Sequence, residues 1–169
     1  MSEPMAQAYI GLGANLGADL RLALERALRA IAELPETRVL AVSSAYRSAP
    51  VESSGPDYLN AVASVETKLT PQALLEALLA IESSQGRERP YRNAPRTLDL
   101  DLLSYADLKL ETPALILPHP RLQQRAFVLR PLLELAPDLA LPGLGRLSDY
   151  LPLLREQVLE RLDAPLAWR

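Results

Sequence analysis

The chain has 169 residues, 49% hydrophobic and 23% charged, which is typical of one globular domain and excludes an intrinsically disordered chain. Because it contains no cysteine, disulfide bonds, thiolate metal ligands and a cysteine nucleophile are excluded. The net charge of -3 argues against broad attraction to nucleic acid or an anionic membrane. With no signal-peptide layout and no run of about 18 apolar residues, we expect one cytoplasmic, monomeric domain over residues 1–169.

Strands and helices alternate in the first hundred residues. Alternating or β-branched stretches predict strands at residues 7–12, 38–47, 59–69 and 97–104. Apolar residues at helical spacing predict helices at 20–34, capped by Asp19, and from the Thr70-Pro71 pair to about Ser84. This β-α-β-β-α-β order predicts an α/β (α+β) fold with a ferredoxin-like core, in which helices cover a largely antiparallel sheet.

The last third of the chain predicts additional helices. A hairpin through Ala106 and Asp107 is expected to follow the fourth strand. Helices are then expected at residues 123–135 and 150–162, the second capped by Ser148.

The glycine-rich segment at residues 11–17 matches neither common phosphate-loop spacing, G-x-G-x-x-G or G-x-x-x-x-G-K-[ST]. We therefore interpret it as a turn from strand to helix, in which glycine supplies a positive φ.

Two carboxylates on the fourth strand are candidate metal ligands. Leu98, Leu100 and Leu102 are expected to point one way, and Asp99 and Asp101 the other. Carboxylates two positions apart on a strand stand about 6.5 Å apart, where one or two magnesium ions could bind between them and substrate phosphates. Spacing alone does not distinguish this site from a half-exposed strand of alternating polarity.

A loop dense in arginine precedes the two carboxylates. Of 18 basic residues 16 are arginine, and four of these lie within ten positions: Arg87, Arg89, Arg92 and Arg96. Guanidinium groups bind phosphate oxygens in pairs and stay charged at any working pH, so the loop and the carboxylates together favour phosphoryl chemistry. The alternative is a solvated surface loop paired with Glu82 and Glu88.

A few other residues could contribute to binding. His119, the single histidine, lies between two prolines and could donate to a phosphate or relay a proton, although a lone histidine is more often structural. Tyr58, Asn60 and Phe127 could line a pocket for a flat polar ring, in which the amide supplies a donor and an acceptor. Aromatic side chains are, however, more often core residues.

Five ordered motifs resemble those of the 6-hydroxymethyl-7,8-dihydropterin pyrophosphokinase family of folate enzymes. They are YIGLGANLG at 9–17, SSAYRSAP at 43–50, PDYLNA at 56–61, PRTLDLDL at 95–102, and PHPR at 118–121 followed by Arg125 and Phe127. The resemblance implies a 2-amino-4-hydroxy-6-hydroxymethyldihydropteridine diphosphokinase. Such an enzyme moves the β,γ-pyrophosphoryl group of ATP to the pterin hydroxymethyl oxygen and releases AMP.

The resemblance also implies a role for each matching residue. Asp99 and Asp101 would bind two Mg2+ ions, and Arg87 and Arg92 would assist transfer. The ATP side would comprise Glu82, Arg89, Arg96, Leu102, His119 and Arg125. The pterin side would comprise Ser48, Val51, Tyr58, Asn60 and Phe127. ATP and the pterin would be the partners, with no nucleic acid and no membrane.

Two other classes of function stay open on the residues alone. A metal-dependent nuclease or glycosyltransferase can also use an Asp-x-Asp site, although a nuclease would need a more basic surface than this net charge gives. A ferredoxin-like regulatory module would bind a small ligand without turnover.

Overall fold

The fold is built from ten strands, three α-helices and two 3-10 segments in the part of the chain that the computed structural model describes, residues 5–15, 19–48, 57–85 and 98–169. The strands are β1 Ala6–Ala14, β2 Thr37–Val42, β3 Tyr46–Ser48, β4 Tyr58–Thr67, β5 Asp99–Tyr105, β6 Leu110–Glu111, β7 Ile116–Leu117, β8 Ala140–Leu141, β9 Gly145–Arg146 and β10 Leu159–Arg161. The α-helices are α1 Leu20–Ala32, α2 Pro71–Gln85 and α3 Ala126–Leu135, and the 3-10 segments are Leu122–Gln124 and Leu147–Leu154.

A six-stranded sheet organises these elements. Its strand order is β10-β3-β4-β1-β5, and β2 also pairs with β4 beyond the end of β3. Every pair in it is antiparallel. The predicted mixed fold with helices over a largely antiparallel sheet is therefore confirmed.

Each face of the sheet has its own apolar core. On one face Ile10, Leu100 and neighbouring side chains pack against α1 and α2. On the other face Val62 and Leu103 pack against α3 and the 3-10 segments. Since both faces of β4 are covered, its predicted alternation separates two buried faces rather than a buried face from an exposed one.

Two helix starts follow from local chemistry that the sequence predicts. The Asp19 carboxylate accepts a hydrogen bond of 3.0 Å from the Leu22 amide at the start of α1. The Thr70 hydroxyl accepts one of 3.1 Å from the Ala73 amide at the start of α2. Each bond satisfies an amide that has no partner inside its helix, so these residues fix where the helices begin.

Several sequence-based expectations are wrong in detail. The strand expected at 38–47 is divided into β2 and β3 by residues 43–45. Here the Ser43 amide donates to the Val62 carbonyl, and the Ser43 hydroxyl accepts from the Val62 amide. The turn at Ala106 does not start a hairpin with β5, because β6 pairs with β7. The helix expected at 123–135 begins at Ala126, after a 3-10 turn.

The C-terminal helix expected at 150–162 is absent from the described residues. A 3-10 segment ends at Leu154, and residues 159–161 form β10, which pairs with β3 and widens the sheet. Pro152 lies inside the segment, and proline interrupts the hydrogen-bond ladder of an α-helix. Within the described part of the chain, no helix has the length and apolar character needed to cross a bilayer.

We predict that Leu28→Ala destabilises the fold by about 2–5 kcal/mol, because it leaves a cavity where a fully buried side chain joins α1 to the sheet. Leu40→Ala is the matched control, since Leu40 is 39% exposed and its loss should cost less than about 0.5 kcal/mol. Urea denaturation measures both values. Equal losses would contradict this assignment of the core.

Candidate functional site

Four residues form one row across the sheet, on four neighbouring strands. Strand register places Tyr46 of β3 opposite Asn60 of β4, Asn60 opposite Gly13 of β1, and Gly13 opposite Asp99 of β5. Residues directly opposite each other in a sheet present their side chains on the same face. An amide and a carboxylate therefore share one face, and the glycine between them has no side chain.

The second carboxylate lies in the next row on the same face. Asp101 is opposite Gly11, which is in turn opposite Val62. Asp99 is exposed and Asp101 is half-buried, whereas the leucines that alternate with them are buried in the core beneath α1 and α2. The predicted division of this strand into an apolar face and a carboxylate face is thus confirmed.

A cleft of about 330 Å3 opens beside the two carboxylates at the outer edge of β5. Its lining residues come from α2, β5 and the segment around β7, and they are Leu75, Leu79, Glu82, Asp99, Leu100, Asp101, Leu102, Pro113, Ala114, Leu115, Ile116, His119 and Pro120. Most of these side chains are apolar, and the ionisable ones are the carboxylates of Glu82, Asp99 and Asp101 and the imidazole of His119. A ligand with an apolar part and an anionic part that carries a bound cation would match this lining.

Glu82 closes the α2 side of the cleft. Its Oε2 atom accepts a hydrogen bond of 2.6 Å from the Leu100 amide, so the last turns of α2 are tied to the outer edge of β5. The Leu102 side chain is buried in the core, which leaves the main chain as the part of this residue that a ligand in the cleft would contact.

His119 closes the opposite side of the cleft. Its amide donates to the Leu103 carbonyl at 2.8 Å, and its Nδ1 atom accepts from the Arg121 amide at 3.2 Å. Since Nδ1 accepts, the neutral ring carries its proton on Nε2 and can donate from there. Burial lowers the pKa of His119; Asp101 acts in the opposite direction, and Arg125 and Arg121 lower the pKa further.

A recessed polar group lies on the side of β4. Asn60 is 3% exposed, and its Nδ2 atom donates a hydrogen bond of 2.9 Å to the Ser48 hydroxyl. Gly13 lies beneath its carbonyl, since a Cβ atom there would be 3.0 Å from Asn60 Oδ1. The close approach of this amide therefore favours glycine at this position, and the predicted positive-φ turn is wrong for Gly11 and Gly13, which both lie within β1.

Two aromatic residues predicted for the site lie on β4 and on α3. Tyr58 is half-buried at the start of β4, opposite Ser48 of β3. Phe127 is half-buried in the first turn of α3, and the guanidinium carbon of Arg125, the residue before the helix, lies 5.6 Å from the centre of its ring. A cation at this distance interacts favourably with an aromatic ring, so Arg125 and Phe127 support each other's position.

Five predicted site residues lie outside the described residues. They are Val51, Arg87, Arg89, Arg92 and Arg96, and the four arginines belong to the arginine-dense loop that was predicted before β5. The sequence missed Gly13 as a site residue. The period-two spacing of Gly11 and Gly13 was the available signal, but the strand was predicted to end at residue 12, whereas β1 continues to Ala14 and puts both glycines on one face.

The two carboxylates suit a hard divalent cation. In the described part of the chain no three histidine, aspartate or glutamate side chains form a cluster that could enclose a metal ion. Magnesium needs no such cluster, because it is typically held by one or two carboxylates together with waters and substrate phosphates. The donor set at Asp99 and Asp101 therefore fits magnesium bound together with a phosphate ligand.

Comparison with known proteins identifies relatives of the whole site region. The model of the family described as 7,8-dihydro-6-hydroxymethylpterin-pyrophosphokinase (HPPK) matches residues 9–137. A Pseudomonas aeruginosa protein, 2-amino-4-hydroxy-6-hydroxymethyldihydropteridine pyrophosphokinase, is 47% identical over 155 residues, which are 91% of this chain and 95% of that protein. The folic acid synthesis protein fol1 of Schizosaccharomyces pombe is 40% identical over 136 residues, 80% of this chain and 18% of that protein.

Solved structures share the fold at low sequence identity. An HPPK-DHPS protein in complex with substrates matches with a TM-score of 0.77 and 13% identity over 96% of this chain. The wild-type Plasmodium falciparum HPPK-DHPS with pterin and p-hydroxybenzoate matches with a TM-score of 0.75 and 16% identity over 97% of this chain. This chain spans about half of each of those chains, 47% and 48%.

We predict that His119 titrates below its ordinary pKa of about 6.5, since burial disfavours the charged ring. As the pH falls through about 6.5, the unfolded chain takes up this proton before the folded chain does, so His119 should make folding less stable in acid. NMR titration of the single histidine measures the shift. Asp101→Asn should lower the pKa further by removing a neighbouring negative charge, and a pKa above the ordinary value would contradict the burial argument.

Proposed function

We propose a residue-by-residue mechanism for this chain, which belongs to the 7,8-dihydro-6-hydroxymethylpterin-pyrophosphokinase family. The chain is a pyrophosphokinase of folate synthesis and uses ATP as its co-substrate. In the reaction, the hydroxymethyl oxygen of the pterin attacks the β-phosphorus of ATP, the bond from that phosphorus to the α,β-bridging oxygen breaks, AMP leaves, and the hydroxyl proton is released to solvent. The proposal concerns which residues bind each substrate and what each contributes.

The observation that carries the mechanism is the row containing Asn60, Gly13 and Asp99. These residues occupy three neighbouring strands, so the amide and the carboxylate are about 9.5 Å apart across the sheet. A pterin held at Asn60 would extend its hydroxymethyl group over Gly13 toward phosphates held near Asp99. The missing side chain at Gly13 leaves room for the two reacting groups to meet.

We assign the pterin to the recessed end of this row. The Asn60 amide, held by Ser48, can present a donor and an acceptor to the edge of a flat heterocycle. Tyr58 and Phe127 would pack on the ring, and Val51 would complete the pocket. Recognition by a buried amide is selective, because a ligand lacking the matching groups leaves that amide without partners.

We assign ATP to the cleft at the edge of β5. The apolar walls suit a nucleobase, and the main chain of Leu102 and the carboxylate of Glu82 are polar groups of the lining. His119 lines the cleft and Arg125 lies close enough to His119 to lower its pKa, so we propose that both bind the anionic part. A neutral His119 would donate from Nε2 to a phosphate oxygen. Arg89 and Arg96 are proposed to contact the nucleotide, and Arg87 and Arg92 the transferred group, since guanidinium groups bind phosphate oxygens in pairs.

We propose that Asp99 and Asp101 together hold two magnesium ions. When bound with ATP, magnesium would neutralise phosphate charge and fix the triphosphate in line with the acceptor oxygen. The protein's own contribution is positional and electrostatic: carboxylates fix the cations, arginines and His119 bind phosphate oxygens, and Asn60 aligns the acceptor. No covalent enzyme intermediate is needed. We further propose that residues 1–169 act as one domain and as a monomer.

Replacing either carboxylate should abolish transfer. We expect Asp99→Asn and Asp101→Asn to lower kcat by more than about 100-fold, because each loses a charged cation ligand while keeping its shape. Separation of the nucleotide products after incubation with ATP, magnesium and 6-hydroxymethyl-7,8-dihydropterin measures AMP release. Asp107→Asn is the matched control, since Asp107 is an exposed aspartate in the turn after β5.

The products and the metal dependence separate the alternatives. AMP and pterin diphosphate in equal amounts, lost when EDTA removes the metal, would support the proposal. ADP would mean transfer of the γ-phosphoryl group instead. Turnover that persists in EDTA, or in both aspartate variants, would overturn the proposed role of the two carboxylates.

We predict that Gly13→Ala raises the KM for the pterin by about ten-fold, since the new methyl group would displace an amide that lies only 3.0 Å from its position. Gly11→Ala is the comparison, because a methyl group there meets a leucine methyl at an ordinary 3.4 Å. Steady-state kinetics with each substrate varied in turn measures both. A larger effect at Gly11 than at Gly13 would contradict the assignment of the pterin to the row of Asn60.

A further inference from the structure

A polar cluster at the end of α3 has no part in the mechanism above. We call Glu134, Ser44, Tyr46 and Arg161 the Glu134 cluster. Glu134 Oε2 accepts from the Ser44 amide at 2.8 Å and from its hydroxyl at 3.2 Å, and Oε1 accepts from the Tyr46 hydroxyl at 2.6 Å. Arg161 Nε lies 3.8 Å from Oε1 and donates to the Ser44 hydroxyl at 3.0 Å. One carboxylate therefore joins α3 to β3, to the residues before it and to β10.

The Glu134 cluster lies next to the proposed pterin pocket, on the β3 side of Asn60. Tyr46 lies directly opposite Asn60 in the row described above, on the side away from Gly13. Two residues further along β3 is Ser48, whose hydroxyl accepts from the Asn60 amide. At the other end of α3 is Phe127. The cluster thus connects the strand that holds the amide to the helix that carries an aromatic wall of the pocket.

The hydrogen bond between Tyr46 and Glu134 joins two groups that are largely shielded from solvent. Tyr46 is 6% exposed, and the Glu134 side chain is 22% exposed, so solvent competes weakly for either group. Burial and the neighbouring carboxylate raise the pKa of Tyr46 to about 12, against the opposing effect of Arg161 and Arg130. The phenol therefore stays a donor at any working pH. Hydrogen bonds from such a donor to a carboxylate are stronger than bonds between neutral groups.

We propose that Tyr46 and Glu134 are positioning residues for the pterin, which set the separation between Asn60 on the sheet and Phe127 on α3. The inference rests on the proposed function, because it assumes that the ring binds between these two residues. Tyr46 acts through its contact with the Asn60 row, and Glu134 acts through β3 and the orientation of α3. Neither residue touches the transferred group, so both should affect pterin binding and leave the nucleotide end unchanged.

The first test compares two tyrosines that each lose one hydrogen bond. Tyr46→Phe removes the donor to Glu134, and Tyr105→Phe removes a bond of 2.5 Å to the Leu69 carbonyl at the far end of β5. Isothermal titration with 6-hydroxymethyl-7,8-dihydropterin, in saturating α,β-methylene-ATP and magnesium, gives the pterin Kd without turnover. We expect Tyr46→Phe to raise this Kd by about five- to ten-fold and Tyr105→Phe to change it by less than about two-fold.

The second test varies the carboxylate. Glu134→Gln keeps one acceptor oxygen in place and should weaken pterin binding less than Glu134→Ala, which keeps none. Glu66→Gln is the matched control, because Glu66 also pairs with an arginine, Arg38, at the sheet surface. The Kd for α,β-methylene-ATP with magnesium, measured without pterin, should stay within about two-fold of the starting value in all these variants.

The outcomes distinguish this inference from the proposed function. If the unaltered protein binds pterin and releases AMP, but Tyr46→Phe and Tyr105→Phe lower Tm alike and leave the pterin Kd alike, the cluster is merely structural and the inference is wrong. Equal loss of pterin and nucleotide binding in the Glu134 variants would also overturn it. If the unaltered protein does not bind the pterin at all, the proposed function and this inference fail together.

Discussion

The site depends on the position of β1 in the middle of the sheet. This strand is paired on both edges, by β4 and β5, and both of its faces are covered. On one face Ile10 and Leu12 fill the core beneath the helices, while on the other face Gly11 and Gly13 carry no side chain. The apolar face gives the strand its stability, and on the glycine face no β1 side chain stands between an amide on one neighbour and two carboxylates on the other.

The two ends of the site differ in their exposure to solvent. Asn60 is buried and already hydrogen-bonded, so its orientation is fixed before any ligand arrives. Asp99 is exposed and Asp101 is half-buried, so water can reach both carboxylates. A selective, dry end and a hydrated, charged end suit a reaction in which a neutral ring must be identified and a highly charged group must be moved.

The sequence predicted local features better than long-range ones. The caps at Asp19 and Thr70, the alternation around Asp99 and the helical spacing of α1 and α2 are encoded within a few residues, and all of them are present. The pairing of residues 159–161 with β3 depends on chain segments more than a hundred residues apart, so no local pattern indicates it. The Glu134 cluster was missed for the same reason, since its members lie on three separate elements.

β5 ends the sheet, and an unpaired strand edge is a surface on which another chain can add a strand. Here the Leu100 amide donates a hydrogen bond to the Glu82 carboxylate, and the Leu103 carbonyl accepts one from the His119 amide. The two residues that border the cleft, Glu82 and His119, therefore also occupy hydrogen-bonding groups that an added strand would need. A further strand could pair with these two groups only after the contacts that form the walls of the cleft were broken.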